Sequence, residues 1–308
     1  MTEPIKVLFV GGSSRSGSTL LDRILGQIPG YVSTGEIRDV WRAGVGENRL
    51  CGCGREFAEC PFWQRVGTEA FGGWSEVDRD DAQAVASSFG YRHAVRALWS
   101  PRADTARRHP RVVELLSRLY GGIAAAAEGA TIIDSSKGPR YGVAVSSIPR
   151  VDFRAIHLVR DSRGVAYSWS KEVMRPDTPG RSVRMPRLGA AAVSARWIAH
   201  NTLIERLGSR VPVARLGYEA LVRDPATELL RVLSELGWAV EPSALDFVRH
   251  GSVHLNPNHT VMGNPMRMAS GEIPLRVDDA WRTRLPRFQR LQVTVMTWPM
   301  LIRYGYRP

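Results

Sequence analysis

The chain has 308 residues, 44% hydrophobic and 23% charged, and a formal net charge of +12, values ordinary for a globular protein and long enough for a substantial core. No apolar run approaches the ~18 residues needed to span a bilayer as a helix, so no integral membrane association is expected. The basic residues are spread along the chain and no basic run is interleaved with aromatics, which argues against a nucleic-acid surface and leaves room for a polyanionic ligand. Residues 5–10 (Ile5-Lys6-Val7-Leu8-Phe9-Val10) are short, apolar and β-branched and read as a buried strand. The chain enters this strand directly from Met1-Thr2-Glu3-Pro4, so no signal peptide and a soluble, cytoplasmic protein are expected. After a Gly/Ser loop, a helix starts near Ser18; Leu20, Leu21, Ile24, Leu25 and Ile28 share one face, and Pro29-Gly30 ends it. A short strand-like turn leads to Thr34. Residues 48–75 hold Cys51, Cys53 and Cys60 and read as an irregular insertion.

Helical stretches are predicted near 79–100 and 110–128, the second carrying Val112, Val113, Leu115, Leu116, Leu119 and Ile123. Thr131-Ile132-Ile133 is a strand running into Asp134-Ser135-Ser136-Lys137. Phe153 to Val159 is another, ending in Arg160-Asp161 and followed by a helix to about Glu172. Residues 175–189 form a loop rich in Pro, Gly and Arg (Arg175, Arg181, Arg184, Arg187). A helix over 190–207, a strand over 211–216 and a helix over 225–236 precede a loop-rich tail from 251 to 278, and helical segments close the chain. Strand, Gly-rich loop and helix in this alternation predict an α/β fold with a mainly parallel sheet. Without internal repeats or a convincing linker, residues 1–308 read as one domain with insertions.

Gly12-Ser13-Ser14-Arg15-Ser16-Gly17-Ser18-Thr19 has the spacing G-x-x-x-x-G between a strand and a helix. Such glycines let backbone amides turn toward an anion, and the helix N-terminus adds unpaired N–H groups and a positive dipole end. Ser16, Ser18 and Thr19 add hydroxyl donors, and Arg15 adds a forked cation. A loop for a magnesium triphosphate needs Lys immediately after the second Gly. Ser18 stands there instead, and the cation has moved inside the loop to Arg15. Asp134 is the best candidate for a magnesium-holding carboxylate at a strand end. The loop therefore looks built for an oxyanion without magnesium triphosphate. Agreement of strand, loop, cation and helix argues against a turn that merely caps the helix.

Arg15-Ser16-Gly17-Ser18-Thr19-Leu20 resembles the 5′-phosphosulfate loop of sulfotransferases that use 3′-phosphoadenosine 5′-phosphosulfate (PAPS). The resemblance implies that Arg15 contacts the bridging and sulfuryl oxygens, while Ser16, Gly17, Ser18 and Thr19 hold the 5′-phosphate. His157 to Ser168 is similar to the family's 3′-phosphate motif, an Arg ending a strand and a Ser eight residues on; Arg160 and Ser168 match. Arg160 stands at the carboxyl end of a strand, where α/β folds place ligands, and Ser168 lies about two helical turns further along, so both can converge on one phosphate. A structural pairing of Arg160 with Asp161 or Asp134 is the alternative. Leu216 to Pro225 is similar to a further family segment, in which Tyr218 would face the adenine or else belong to the core. His259 to Arg267 resembles a Gly-Asn-Pro-x-Arg stretch of bacterial members, which implies that Arg267 closes over the 3′-phosphate. The matches run from residue 5 to about 270 in family order. They imply a P-loop-like three-layer α/β/α fold, with a central, mainly parallel sheet of four or five strands plus helical and loop insertions.

Sulfuryl transfer needs positioning, charge stabilisation at the sulfuryl oxygens and a base for the acceptor proton. In Thr34-Gly35-Glu36-Ile37-Arg38 the resemblance implies Glu36 as that base; ion pairing with Arg38 or Arg15 is the alternative. His259 and His157 are rival bases, with His157 expected to be packed inside a strand. Lys137 is a candidate for stabilising the leaving bridging oxygen or a sulfuryl oxygen, and Arg38 for an acceptor or sulfate contact. Cys51, Cys53 and Cys60 offer three thiolates, but a fourth ligand such as His93 has to come from elsewhere, and structural zinc sites usually show two clean cysteine pairs. Reduced structural thiols and no metal are expected. The 175–189 loop is a candidate acceptor lid or a solvated loop. The expected reaction converts PAPS and a hydroxyl acceptor (small molecule, carbohydrate or phenol) into 3′-phosphoadenosine 5′-phosphate (PAP) and a sulfated product, without a metal requirement. A small-molecule kinase using ATP and magnesium, or a non-catalytic nucleotide-binding protein, is the alternative. Acceptor identity and oligomeric state stay open.

Overall fold

In β1 (Ile5–Gly12) the run Val7-Leu8-Phe9-Val10 is buried on both faces, as a parallel strand covered by helices on both sides must be. Alternation along the strand sends Val7 and Phe9 into one core and Leu8 and Val10 into a second. Ile132 and Ile133 divide between the same two cores, so the sheet is the middle of three layers. The computed structural model describes residues 3–100, 102–178, 182–249 and 251–307. Its main sheet adds β2 (Tyr31–Ser33), β3 (Thr131–Lys137), β4 (Val151–Val159) and β5 (Val213–Gly217) in the order β2-β3-β1-β4-β5, with every pairing parallel.

Helix α1 (Ser18–Leu25) packs Leu21, Ile24 and Leu25 on one face of the sheet. The chain then forms α2 (Pro61–Phe71), α3 (Arg79–Ser88), α4 (Tyr91–Leu98), α5 (Arg102–Arg108) and α6 (Pro110–Ala126), and α6 covers the other face through Leu116, Leu119 and Ile123. Next come α7 (Pro139–Val145), α8 (Ser162–Ser170), α9 (Ala190–Leu207), α10 (Tyr218–Arg223) and α11 (Pro225–Glu235), then α12 (Trp281–Arg284) and α13 (Arg287–Arg303). Among the described residues no helix is long and apolar enough to cross a membrane.

The structure adds α5, α7 and α10 to the sequence reading and differs from it in three further places. Residues 48–75 contain α2, with Pro61 at its first turn, where the missing N–H costs nothing. The stretch 79–100 breaks into α3 and α4 at Phe89-Gly90. The tail is not merely loop: β6 (Val248–Arg249), β7 (Ser252–Leu255) and β8 (Gly271–Pro274) form a small antiparallel sheet. Strands of two to four residues carry too few alternations to be read from the sequence.

From central β1 the chain builds outward to β2 and β3 on one side and to β4 and β5 on the other. The carboxyl ends of β1, β3, β4 and β5 therefore open on one edge at a topological switch point, where such sheets hold ligands.

Candidate active site

The loop after β1 turns sharply because Arg15 and Gly17 adopt positive φ, 70° and 92°. Gly17 cannot carry a side chain here: a Cβ would lie 2.4 Å from Cδ2 of Tyr218. Ser16 is buried, and its Oγ has no hydrogen-bond partner among the described residues. Ser14, Arg15, Gly17, Ser18 and Thr19 line a cleft of about 380 Å³. Six cations face it, from Arg15, Arg38, Arg42, Lys137, Arg160 and Arg175, against the two carboxylates of Glu36 and Asp39. The Arg15 guanidinium sits 5.2 Å from the centroid of the Trp169 ring. Burial lowers the Arg15 pKa, and the nearby Glu36 carboxylate opposes that shift.

Across the loop, the Lys137 ammonium donates to Oε1 of Glu36 at 2.6 Å, and Arg38 Nη2 lies 3.5 Å from the other carboxylate oxygen. A register break between Phe9↔Asp134 and Gly11↔Lys137 re-aims the end of β3, where Lys137 has φ 63°. Burial alone would lower the Arg38 pKa, but the carboxylates of Glu36 and Asp39 outweigh it and raise it. Beneath the loop, Asp22 accepts hydrogen bonds from Ser33 and, at 2.5 Å, from Ser135. Burial pushes its carboxyl up to about 6. Asp134 accepts from Tyr120 at 2.6 Å and from the Ser136 amide at 2.9 Å. Both its oxygens are taken by the fold, so it does not present a magnesium ligand to the cleft.

Arg160, just past the end of β4, donates to the Arg15 carbonyl at 3.1 Å and to the Asp278 carboxylate at 3.2 Å. Its guanidinium lies 4.5 Å from the centroid of the Tyr218 ring. Tyr218 thus touches both the phosphate-type loop and Arg160. Ser168, in α8, lines the same cleft.

The model of the sulfotransferase family matches residues 7–242 of the chain. The chain belongs to the sulfotransferase family. Among solved structures, the sulfotransferase domain from the curacin biosynthetic pathway is 16% identical over 99% of each chain, with a TM-score of 0.51. The sulfotransferase domain from the Synechococcus PCC 7002 olefin synthase is 20% identical, covering 100% of this chain and 97% of its own, with a TM-score of 0.47. A retinol dehydratase in complex with androsterone and inactive cofactor PAP is 12% identical over 97% of this chain and 82% of its own, with a TM-score of 0.42. At such identities the likeness concerns the fold. No curated protein sequence matches the chain.

Within this sulfotransferase, Arg15, Gly17, Ser18, Thr19, Glu36, Lys137, Arg160, Ser168 and Tyr218 all line one cleft. Arg267 does not. It is buried and donates to the Thr260 carbonyl at 2.6 Å and to the Asp177 carboxylate at 3.2 Å, so its charge is spent within the fold. The neighbouring Gly263 and Asn264 reach the cleft in its place, and the Asn264 amide donates to Thr19 Oγ1 at 3.2 Å. His259 lies among the cysteines and not in the cleft. His157 is buried in β4 against Asn201 at 2.9 Å, as a packed histidine. His93 accepts from the Gly90 amide at the start of α4, away from the thiols. From the 175–189 loop, Arg175, Met185 and Pro186 line the cleft, Arg184 pairs outward with Glu172, and Arg181 lies outside the described residues. Trp169 and Arg42 were not singled out from the sequence, and Asn264 entered only as part of the Gly-Asn-Pro-x-Arg stretch. Trp169 had a signal, since it follows Ser168 in the helix after β4, within the segment that resembles the family's 3′-phosphate motif.

Proposed function

We propose that this sulfotransferase takes PAPS as donor and passes its sulfuryl group to a hydroxyl of a small-molecule, carbohydrate or phenolic acceptor. The observation that carries the reading is a single juxtaposition at the sheet edge. Gly17 of the glycine loop and the Arg160 guanidinium meet around the Tyr218 ring, in one strongly cationic cleft that Ser168 also lines. A nucleotide with phosphates at both its 5′ and 3′ positions is the ligand whose charges fit two such ends.

In this reading the loop amides, Ser16, Ser18 and Thr19 hold the 5′-phosphate, and Arg15 faces the sulfuryl oxygens. Arg160 and Ser168 take the 3′-phosphate, for which the Asp278 carboxylate now stands as an anion on the Arg160 guanidinium. The acceptor oxygen forms its bond to sulfur as the bond from sulfur to the bridging oxygen breaks, and the electron pair leaves on the phosphate of PAP. Glu36 takes the acceptor proton. Lys137, 2.6 Å from Glu36, orients that carboxylate and stands within the same cleft to meet negative charge on the departing oxygen. The segment bearing Arg175, Met185 and Pro186 forms the acceptor-side wall.

Thermal unfolding with added PAP, compared with ATP and magnesium at equal concentration, tests the donor assignment. PAP should raise the melting temperature and ATP with magnesium should not; the reverse order would overturn it. Mass analysis of candidate acceptors incubated with PAPS then reads the transfer directly.

A further inference from the structure

Outside the donor cleft, three thiols and an imidazole converge on one point. The Sγ atoms of Cys51, Cys53 and Cys60 and the Nδ1 of His259 all lie within 4.8 Å of one another. Cys53 Sγ is 3.7 Å from Cys60 Sγ, and His259 Nδ1 is 3.4 Å from Cys60 Sγ and 3.9 Å from Cys51 Sγ. A tetrahedral zinc ion with bonds of about 2.3 Å to sulfur and about 2.0 Å to nitrogen sets sulfur–sulfur edges of about 3.8 Å and sulfur–nitrogen edges of about 3.5 Å. The observed spacings fit that tetrahedron, and none of the three cysteines is in a disulfide.

We propose that Cys51, Cys53, Cys60 and His259, through Nδ1, bind a structural zinc ion. The sequence reading lacked a fourth ligand because His259 lies 199 residues beyond Cys60 and is brought there by the fold. Each ligand is held by backbone or ring packing that does not involve the ion. The Cys51 amide donates to the Arg55 carbonyl at 2.7 Å, and the Gly54 amide to the Cys51 carbonyl at 2.9 Å, which curls the Cys-x-Cys segment into a tight turn. Gly54 has φ 87°, open to glycine at little cost. Cys60 caps α2, whose positive end favours a thiolate. The His259 ring stacks on Phe62 at 4.7 Å with 11° between planes, and its carbonyl accepts from Trp63 Nε1 at 2.8 Å.

Three soft thiolates and one imidazole in a tetrahedron suit zinc, and four protein ligands leave no open position for substrate, which marks the site as structural. Binding converts three thiols to thiolates and releases their three protons to solvent; no oxidant or reductant enters. The ion would tie residues 51–60 to the tail at 259, where the Gly52 amide already donates to the Thr260 carbonyl at 3.0 Å. Met262, Gly263 and Asn264, directly after that junction, line the donor cleft. The zinc would therefore brace one wall of the site while touching no substrate.

Elemental analysis of the full chain, after dialysis against metal-free buffer, should find about one zinc per chain. Replacement by cobalt should give the visible absorption of a tetrahedral thiolate site. Cys53→Ser, the substitution at the least buried cysteine, should cut bound zinc at least ~10-fold. His259→Cys should keep the zinc and shift the cobalt spectrum toward four sulfurs, which separates lost ligation from lost folding. Less than about 0.1 metal ion per chain even after growth and refolding with zinc, together with no cobalt spectrum, would overturn the site. So would a Cys53–Cys60 disulfide in the intact mass, an iron–sulfur chromophore, or a His259→Ala protein with unchanged zinc content and cobalt spectrum. These readouts use no donor or acceptor, so the zinc site and the PAPS assignment stand or fall separately.

Discussion

Glu36 is 9% exposed and meets two cations at once, Lys137 at 2.6 Å and Arg38 at 3.5 Å. Glu36→Gln keeps the shape and one acceptor oxygen but removes the proposed base. It should lower kcat by roughly 10²- to 10⁴-fold while leaving PAP affinity within about twofold; an unchanged kcat would move the base elsewhere. At the other end of the cleft, Arg160→Ala should weaken PAP far more than it weakens adenosine 5′-phosphosulfate, which lacks the 3′-phosphate. Equal losses by calorimetry would remove Arg160 from the proposed 3′-phosphate site. Asp278 bonds the same guanidinium and also Lys171 at 3.1 Å. Asp278→Ala frees both cations, so PAP should bind more tightly, and a weaker complex would mean that Asp278 holds Arg160 in place for its ligand. Lys137 and Arg160 were legible at strand ends, where a strand fixes how the next side chain emerges, while Glu36 and Tyr218 were picked out by the family resemblance; all four line the cleft. Arg267 was not legible: its direction is set by Asp177, 90 residues earlier.

Elements were legible where their hydrophobic pattern was long. β1 carries the apolar run Val7-Leu8-Phe9-Val10, β4 alternates through Val151, Phe153 and Ala155, β3 shows only Ile132-Ile133 before its polar end, and α9 and α11 fall within a residue of the helical stretches read from the sequence. α2 was obscured by the cysteines and glycines before it, and β6 to β8 were too short to show a period. The junction of β1 with α1 depends on two features that the sequence pattern shows only in part, a glycine without room for a methyl and a buried acid. Gly17→Ala would place Cβ 2.4 Å from the Tyr218 ring at a φ of 92°. PAP binding should fall at least ~10-fold with a loss of about 1–3 kcal/mol in stability, since both ring displacement and backbone strain are forced. Asp22, on α1, is raised by burial from 3.8 to about 6, against the hydrogen bonds from Ser135 and Ser33. The folded chain therefore holds this proton more tightly than the unfolded chain, and Asp22's contribution to stability falls as pH rises through that window. Asp22→Asn cannot titrate. Its stability relative to the parent should improve from the acid to the neutral side of the window in urea unfolding, and an unchanged difference would mean that Asp22 binds its proton equally well in the folded and unfolded chain.

At the scale of the whole molecule, one carboxylate joins three parts that are far apart in the chain. Asp177, 3% exposed, lies 2.9 Å from Arg175 in its own segment, 3.2 Å from Arg267 in the tail and 3.8 Å from Arg49 at the edge of the cysteine insertion. The backbone reinforces this, with the Leu50 amide donating to the Asp177 carbonyl at 3.3 Å and Arg267 donating to the Leu50 carbonyl. Burial would raise the Asp177 pKa, but Arg175 and Arg267 outweigh it and hold the carboxyl below its ordinary value. A lowered folded pKa supplies stability above the unfolded value and loses it as pH falls through the folded value, the opposite sign to Asp22. Asp177→Asn leaves the volume unchanged but strands the buried Arg267 guanidinium beside two others, so it should cost about 3–5 kcal/mol at neutral pH. Arg267→Met removes one charge of that cluster and fills most of its space. Combined with Asp177→Asn it should cost less than the sum of the two single changes, because the charge that Asp177 neutralised has gone. Urea unfolding of the four proteins measures this directly. Strict additivity would show that the arginines relax into water when Asp177 is lost, and that the tail is held by the packing of Leu255 and Val261 rather than by charge.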